Sequence, residues 1–347
     1  LKKFFVLWTS QAVSILATTI VGFALAWYLT QKTGSATILS TSMMVNYIPT
    51  IVLGPFIGPF IDRWSRKKIM IFSDIAQSLL SLALVVLFFT NNIQIWHIYV
   101  VIAGYSIGRS FQGTALSASI PMIVPEKHLL RANGLNITIS GIINIIGPIA
   151  GALLMKAFPM QWVLSVDIIS TIILVSILLP LAIPQPPRTA PSVKPNYFAE
   201  LRQGFRYIAS WRGLLFLLIL IAILMFFAAP INALRPLFVM QYFGGDVLKF
   251  GWVGTVGSVG VVAGGLILSA WGGFKRRIII ALISVMVQGI SAFIFGFTTE
   301  SLFSLALVMV FITGFGSSIF NANVGAIIQS VVAKDMQGRV VSLQYSI

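Results

Sequence analysis

The sequence predicts an all-α polytopic membrane protein, and three observations carry that expectation. First, 58% of its 347 residues are hydrophobic and 9% are charged, with a mean hydropathy of +0.97. A soluble domain carries about 25% charged residues, so this chain cannot clothe a globular surface in polar groups. Second, ten apolar segments reach the roughly 20 residues that a helix needs to cross a bilayer. Third, a charged hinge between apolar runs, Gly58-Pro-Phe-Ile-Asp62-Arg63-Trp-Ser-Arg66-Lys67-Lys68, recurs in worn form. The copy reads Ile267-Leu-Ser-Ala-Trp271-Gly-Gly-Phe-Lys275-Arg276-Arg277. Its bases survive and its acid does not. A duplication of this kind predicts two halves that move against each other.

The elements follow in order. Segment 4–29 comes after Lys2-Lys3 and imitates a signal peptide, but it is too long and further spans follow at once. It reads as the first helix. Segment 38–61 runs into the hinge. Segments 68–90 and 159–183 each hold one acid, Asp74 and Asp167, while segment 96–123 carries Arg109 near its middle. Segment 133–156 is interrupted by Gly147-Pro148. Pro184, Pro186, Pro187, Pro191 and Pro195 fill the one long connection, which ends in a polar amphipathic stretch. Segments 212–241, 248–272, 277–298 and 301–331 complete the set. The predicted organisation is a six-helix bundle over 1–183, a cytoplasmic linker over 184–211 and a second bundle over 212–347.

Lys and Arg set the orientation. Of the 23, all but five fall on the side that holds Lys2, the hinge bases, Lys127, Arg131, the linker and Lys275 to Arg277. Lys32, Lys156 and Lys249 lie on the other side, and Arg109 and Arg235 lie within spans. The positive-inside rule places the basic side, with the N-terminus and the linker, in the cytoplasm of a multi-pass protein of the inner (plasma) membrane. The formal charge of +15 therefore reads as topology signal and contact with anionic lipid, not as a nucleic-acid footprint.

The repeat reaches beyond the hinge. Val124-Pro-Glu-Lys-His-Leu-Leu-Arg131 aligns with Val332-Ala-Lys-Asp-Met-Gln-Gly-Arg339, and Ala24-Leu25 with Ala233-Leu234. Hinges that stay cytoplasmic in both copies make a parallel repeat about an axis along the membrane normal. The first copy holds six helices; the second holds four and the beginning of a fifth from Gly338, so two more are expected after residue 347.

Several classes are disfavoured. With no cysteine there is no disulfide, zinc–thiolate site or Cys nucleophile. No HExxH or Walker pattern occurs, and His97 and His128 fall in or beside loops on opposite faces. The chain is read as a non-enzyme with no cofactor and no metal, and no charged or carbonyl-lined pore ring suggests a channel.

These residues resemble the major facilitator superfamily, and within it the macrolide-efflux and siderophore-exporter branch, over the whole chain. Gly58-x-x-x-Asp62-Arg63-x-x-Arg66-Lys67 resembles the family's loop between helices 2 and 3. Arg109-Ser-Phe-Gln112-Gly113 resembles its Arg-x-x-Gln-Gly pattern on helix 4. Gly141-x-x-x-x-x-Gly147-Pro148-x-x-Gly151 resembles the helix 5 motif of exporting antiporters. The resemblance implies a monomeric secondary transporter that moves a small amphipathic molecule by alternating access, with protons as the coupling ion. A lipid flippase, a metabolite importer and a non-transporting sensor use the same fold.

Each motif also has a physical reading. Asp62 at a helix end suits the amides of a facing helix N-terminus. By resemblance that helix starts near Gly338. Arg63, Arg66 and Lys67 would pair with carboxylates when the cytoplasmic side closes, each exposed pair being worth about 0–1 kcal/mol. The plainer reading is a topology anchor. Arg109 within a span must face a cavity or an acidic partner, and the resemblance assigns it and Gln112 to proton coupling or substrate. Asp74 and Asp167 are either proton carriers or solvated helix ends. Gly147, Pro148 and Gly151 bend helix 5 and admit a close neighbour. Gln11, Asn232, Arg235, Asn321 and Asn323 are expected to line the central cavity, with Arg235 able to snorkel instead.

Overall fold

The computed structural model describes residues 2–125, 128–181, 206–271 and 276–332. Among them are ten long helices and no strand: α1 (Lys2–Thr33), α2 (Ala36–Arg63), α3 (Arg66–Phe89), α4 (Ile95–Ile123), α5 (Leu129–Ala157), α6 (Met160–Leu178), α7 (Arg212–Tyr242), α8 (Val247–Trp271), α9 (Arg277–Gly296) and α10 (Phe303–Val331). Each predicted span is found, with ends displaced by a few residues. Nine of these helices are long and apolar enough to cross a membrane. The exception is α4. At 29 residues it would be about 44 Å long, so length is not the reason. Tyr105, Ser106, Arg109, Ser110 and Gln112 crowd its middle and lower its apolarity. The helix that fails the test is the one with an arginine in its middle.

The helix ends follow local chemistry. Ser35 caps α2 through a bond from the Ile38 amide to its hydroxyl. Gly34, at φ 58°, turns the chain out of α1 in a conformation that most residues resist. At the start of α4, His97 Nδ1 accepts from the Gln94 amide at 3.0 Å, closing a capping box. His97 is thereby accounted for as a cap.

The chain forms two compact units: Leu1–Thr189 with Gly245–Thr255, and Ala190–Gly244 with Val256–Ile347. In the first, Leu7, Ile57, Ile61, Met70, Ala115, Leu174 and Leu178 form one apolar core between α1, α2, α3, α4 and α6. In the second, Leu214, Leu218 and Ile221 of α7 pack on Ala281 of α9 and on Phe320, Val324 and Ile328 of α10.

The duplication is visible inside each unit. Arg66 Nη1 donates to the Ala118 carbonyl at 2.6 Å, and Arg277 Nη1 to the Ala326 carbonyl at 3.2 Å. Gln77 donates to the Ser73 carbonyl and Gln288 to the Ser284 carbonyl, both at 3.1 Å. A Cβ on Gly108 would strike Gln77 at 2.8 Å, and one on Gly316 would strike Gln288 at 2.9 Å. The same Gln-on-Gly seam joins α3 to α4 and α9 to α10.

Glycine also sets the α8–α10 seam. A Cβ at Gly260 would stand 2.2 Å from the Phe311 carbonyl oxygen, and one at Gly314 2.1 Å from that of Gly257. Backbone cannot step aside as a side-chain tip can. Gly260→Ala is expected to lower stability by about 1–3 kcal/mol through overpacking. Gly289→Ala, with nothing within 4 Å of the new atom, should be neutral or gain up to about 1 kcal/mol of helix propensity. Thermal unfolding of both variants in detergent checks the contrast.

Candidate functional site

Helical periodicity assembles a polar column inside the first unit. On α3, Asp74, Gln77 and Ser81 share one buried face, spaced by three and four residues. Tyr105, Gly108 and Gln112 repeat that spacing on α4 and meet it in the opposite direction. From α1 come Gln11, Ser14 and Thr18, and from α6 comes Asp167. Both acids are 2% exposed.

At one end stands Asp74. Ser14 donates to its Oδ1 at 2.5 Å, and the Gln112 amide donates to both carboxylate oxygens at 3.0 Å. The same Gln112 nitrogen donates to Gln11 Oε1 at 2.8 Å. Gln11 Nε2 turns toward Asp74 without reaching hydrogen-bond distance. At the other end, Asp167 Oδ2 accepts from Ser81 at 2.8 Å and from Tyr105 at 2.9 Å, and its Oδ1 accepts from Thr18 at 3.3 Å. The Ser81 and Tyr105 hydroxyls also lie within bonding reach of each other, so two hydrogens serve three contacts.

Between them lies Gln77, 2% exposed. Its Nε2 is committed to Ser73, and its Oε1 has no partner among the described residues. A buried acceptor left unpaired costs about 1–3 kcal/mol. A bilayer interior tolerates such groups mainly where they serve function.

This geometry revises several expectations. Asp74 and Asp167 are not solvated helix ends; both are enclosed by α1, α3, α4 and α6. Gln11, expected at a cavity wall, is 1% exposed and belongs to the column. Arg109 is not joined to the acids. It lies on the exposed side of α4, while Tyr105, Gly108 and Gln112 are buried. Arg109 has no hydrogen bond among the described residues, and its ionisable neighbour is Tyr47 of α2. Nearby on that α2–α4 seam, Thr50 bonds Ser106 at 3.0 Å and Ser110 at 2.9 Å, and Ser106 bonds the Asn46 carbonyl.

Two of the hinge bases have backbone partners. Arg66 and Lys67 meet helix carbonyls of their own unit: Ala118 in α4 and, at 2.6 Å, Leu179 just past α6. A base near a helix C-terminus answers its unpaired carbonyls and negative dipole end. Gly58, Asp62 and Arg63 close α2, but their side chains, and the segment near Gly338, lie outside the described residues. So do most of the linker and Lys275.

Gly147 and Gly151 are close-approach positions. Added Cβ atoms would stand 2.6 Å from Thr19 and 2.8 Å from Phe23, both on α1. On another side of α5, Gly251 and Gly254 abut Ala152 and Pro148, and Thr255 donates to the Ile145 carbonyl at 2.7 Å. That hydroxyl binds next to the backbone that Pro148 interrupts. In the second unit Asn232 and Asn321 are exposed and bond only within their own helices, while Asn323 is buried at 4%. Arg235 is half-buried with no hydrogen bond among the described residues.

Sequence reasoning did not single out Ser81, Tyr105 or Gln77. The signal was the matched three-and-four spacing on α3 and α4, which is informative only once the helices are known to pair.

The chain matches the description Major Facilitator Superfamily over residues 7–347. It is 32% identical over 345 residues to macrolide efflux protein A of Streptococcus pyogenes, covering 99% of this chain and 85% of that protein. It is 32% identical over 314 residues to macrolide efflux protein A of Enterococcus faecalis, covering 90% and 97%. Among solved structures, a bacterial homologue of the lysosomal transporter Spinster aligns with a TM-score of 0.73 at 16% identity, covering 99% of this chain and 79% of that one. A helical membrane fold, a duplicated core and a match along nearly the whole chain lead to one conclusion: this protein belongs to the Major Facilitator Superfamily.

Proposed function

We propose that this transporter exports an amphipathic small molecule, macrolide-like or siderophore-like, in exchange for protons that enter from outside the cell. The observation that carries the reading is the pair of fully buried carboxylates, Asp74 and Asp167, in a hydroxyl- and amide-lined column within membrane-crossing helices. The two 32% identical macrolide efflux proteins support the substrate class.

In this reading the two sides of α4 divide the labour. The buried side meets the proton through Gln112 and Tyr105. The accessible side offers Arg109 and the hydroxyl of Ser110 to the cargo. When Asp74 is neutralised, the charge-assisted bond from Gln112, worth about 1.5–3 kcal/mol, falls to that of a neutral pair at about 0.5–1.5 kcal/mol. α4 is then held less firmly against α3, and Arg109 moves with it. Proton and cargo are coupled through one helix without competing for one residue. Pro148 and its glycine neighbours supply the bend in α5, and the base-rich hinge faces the cytoplasm with the N-terminus and linker.

Inside-out vesicles containing the protein, with an acidic lumen and radiolabelled erythromycin outside, test the proposal. The expected result is accumulation that a protonophore abolishes. Accumulation unaffected by the protonophore would remove proton coupling. Movement of labelled lipid in place of the macrolide would favour a flippase.

A further inference from the structure

We infer that Gln77 is the acceptor for the proton carried by Asp74, a role that rests on the proton-exchange reading above. Both groups that bond the Asp74 carboxylate do so as donors, Ser14 and Gln112. This shell suits a carboxylate. It offers nothing to receive the O–H that Asp74 gains on protonation. Beside it, among the described residues, stands a buried acceptor with no donor, Gln77 Oε1.

The amide cannot have been turned the wrong way round. Its Nε2 donates to the Ser73 carbonyl at 3.1 Å, and the opposite orientation would set two oxygens against each other. Hydroxyls such as Ser14 can reverse, but only by withdrawing the hydrogen they now give. Gln77 alone is already an acceptor in waiting.

Position agrees with this role. Asp74 and Gln77 are three residues apart on α3, which places their Cβ atoms about 5–6 Å apart on one face. Gly108 leaves the Gln77 side chain no room to move toward α4. Asp74 Oδ1 accepts from both Ser14 and Gln112, whereas Oδ2 accepts from Gln112. Oδ2 is therefore the oxygen with capacity to spare. A proton delivered by water bonds to Oδ2, the carboxylate becomes neutral, and the new O–H donates to Gln77 Oε1.

The titratable groups facing this stretch are Asp167 from α6 and Tyr105 from α4. The α1 face presents only Gln11, Ser14 and Thr18, and Arg109 lies on the exposed side of α4.

The duplication supplies an internal control. Gln288 makes the same bond to Ser284 and rests on Gly316 as Gln77 rests on Gly108. The position matching Asp74 there is Val285, so Gln288 has the same packing and no acid to serve.

Infrared difference spectroscopy of the purified full chain in detergent provides the test without any transported substrate. Its readout is the carbonyl band of a protonated carboxylic acid as pH is varied. Asp74→Asn should remove the component of the band that belongs to Asp74. Gln77→Met should lower its pH midpoint by about one unit, a tenfold loss of proton affinity. Gln288→Met should leave the midpoint at the wild-type value. Gln77→Glu keeps an acceptor and adds a negative charge beside Asp74, so it should raise the midpoint, and it stands in if Gln77→Met does not fold. An unchanged midpoint in Gln77→Met, or an unchanged or lowered one in Gln77→Glu, overturns the role of Gln77 while leaving Asp74 as carrier. An unchanged band in Asp74→Asn overturns the carrier reading itself.

Discussion

Asp167→Ala is expected to destabilise the first helical unit by about 2–4 kcal/mol, the largest stability loss of any single change in the column. The carboxylate accepts hydrogens from α1, α3 and α4 while itself belonging to α6. Four helices meet at one side chain. Alanine removes the acceptors but not the donors. Thr18 keeps a bond to the Ser14 carbonyl at 3.0 Å, and Ser81 and Tyr105 keep each other. One hydrogen of that hydroxyl pair is left without a partner in an apolar interior, at about 1–3 kcal/mol, and the bonds to a charged group are lost as well. Asp167→Asn should cost under about 1.5 kcal/mol, because its carbonyl oxygen still accepts from Ser81 and Tyr105. Thermal unfolding of the purified variants reads the difference. Equal losses for Ala and Asn would mean that the charge, not the acceptor geometry, holds the helices.

Much of this architecture was legible in the sequence for simple physical reasons. Water-free lipid leaves the backbone only the helix or the closed barrel, so nine of the ten spans could be read from length and apolarity. Charge asymmetry gave an expected orientation. The hinge and the two glycine motifs drew attention because charges and Gly-Pro pairs are costly inside helices. The carboxylate column was less legible. Asp74 and Asp167 were conspicuous as acids, yet a linear sequence does not say whether an acid some turns into a helix points to water or inward. Ser81 was silent, since hydroxyls are common in such helices and usually bond their own backbone, as Thr19 does to Ile15. Arg109 and Gln112 were read as one motif, but a helix turns about 100° per residue, and three positions apart one is exposed and the other buried. The expectation that Gln11 lines a cavity failed for a related reason: periodicity locates a polar face without naming the neighbour it meets. The carbonyl that Arg66 meets was hidden too, because sequence displays charged partners and conceals backbone ones.

Asp74→Asn should abolish uphill transport while leaving the fold and cargo exchange intact. Asparagine has nearly the shape of a protonated aspartic acid, so the variant resembles the transporter with its proton permanently bound. Its carbonyl oxygen can accept from Ser14 and Gln112 at the site of Oδ1. Its amide, at the site of Oδ2, becomes a donor and can meet the Oε1 of Gln77, which has no partner in the present arrangement. Gln112 is the neighbour that must adjust, since its Nε2 now faces both carboxylate oxygens at 3.0 Å and would meet a second donor. Stability should therefore change by less than about 1.5 kcal/mol, the scale of one neutral hydrogen bond. The effect on transport should be far larger. Each pH unit across the membrane is worth about 1.36 kcal/mol per proton, so a gradient of about two units can sustain roughly hundredfold accumulation in a one-proton exchange. A carrier that cannot release its proton has no access to that energy, and the accumulation ratio should fall to about one. Exchange of labelled for unlabelled erythromycin at equal concentrations requires no net proton movement, so it should continue at a rate within about threefold of wild type. Uphill accumulation by the Asn variant would show that the coupling proton travels elsewhere. Loss of both accumulation and exchange in a folded protein would place Asp74 in the conformational cycle itself rather than in proton carriage.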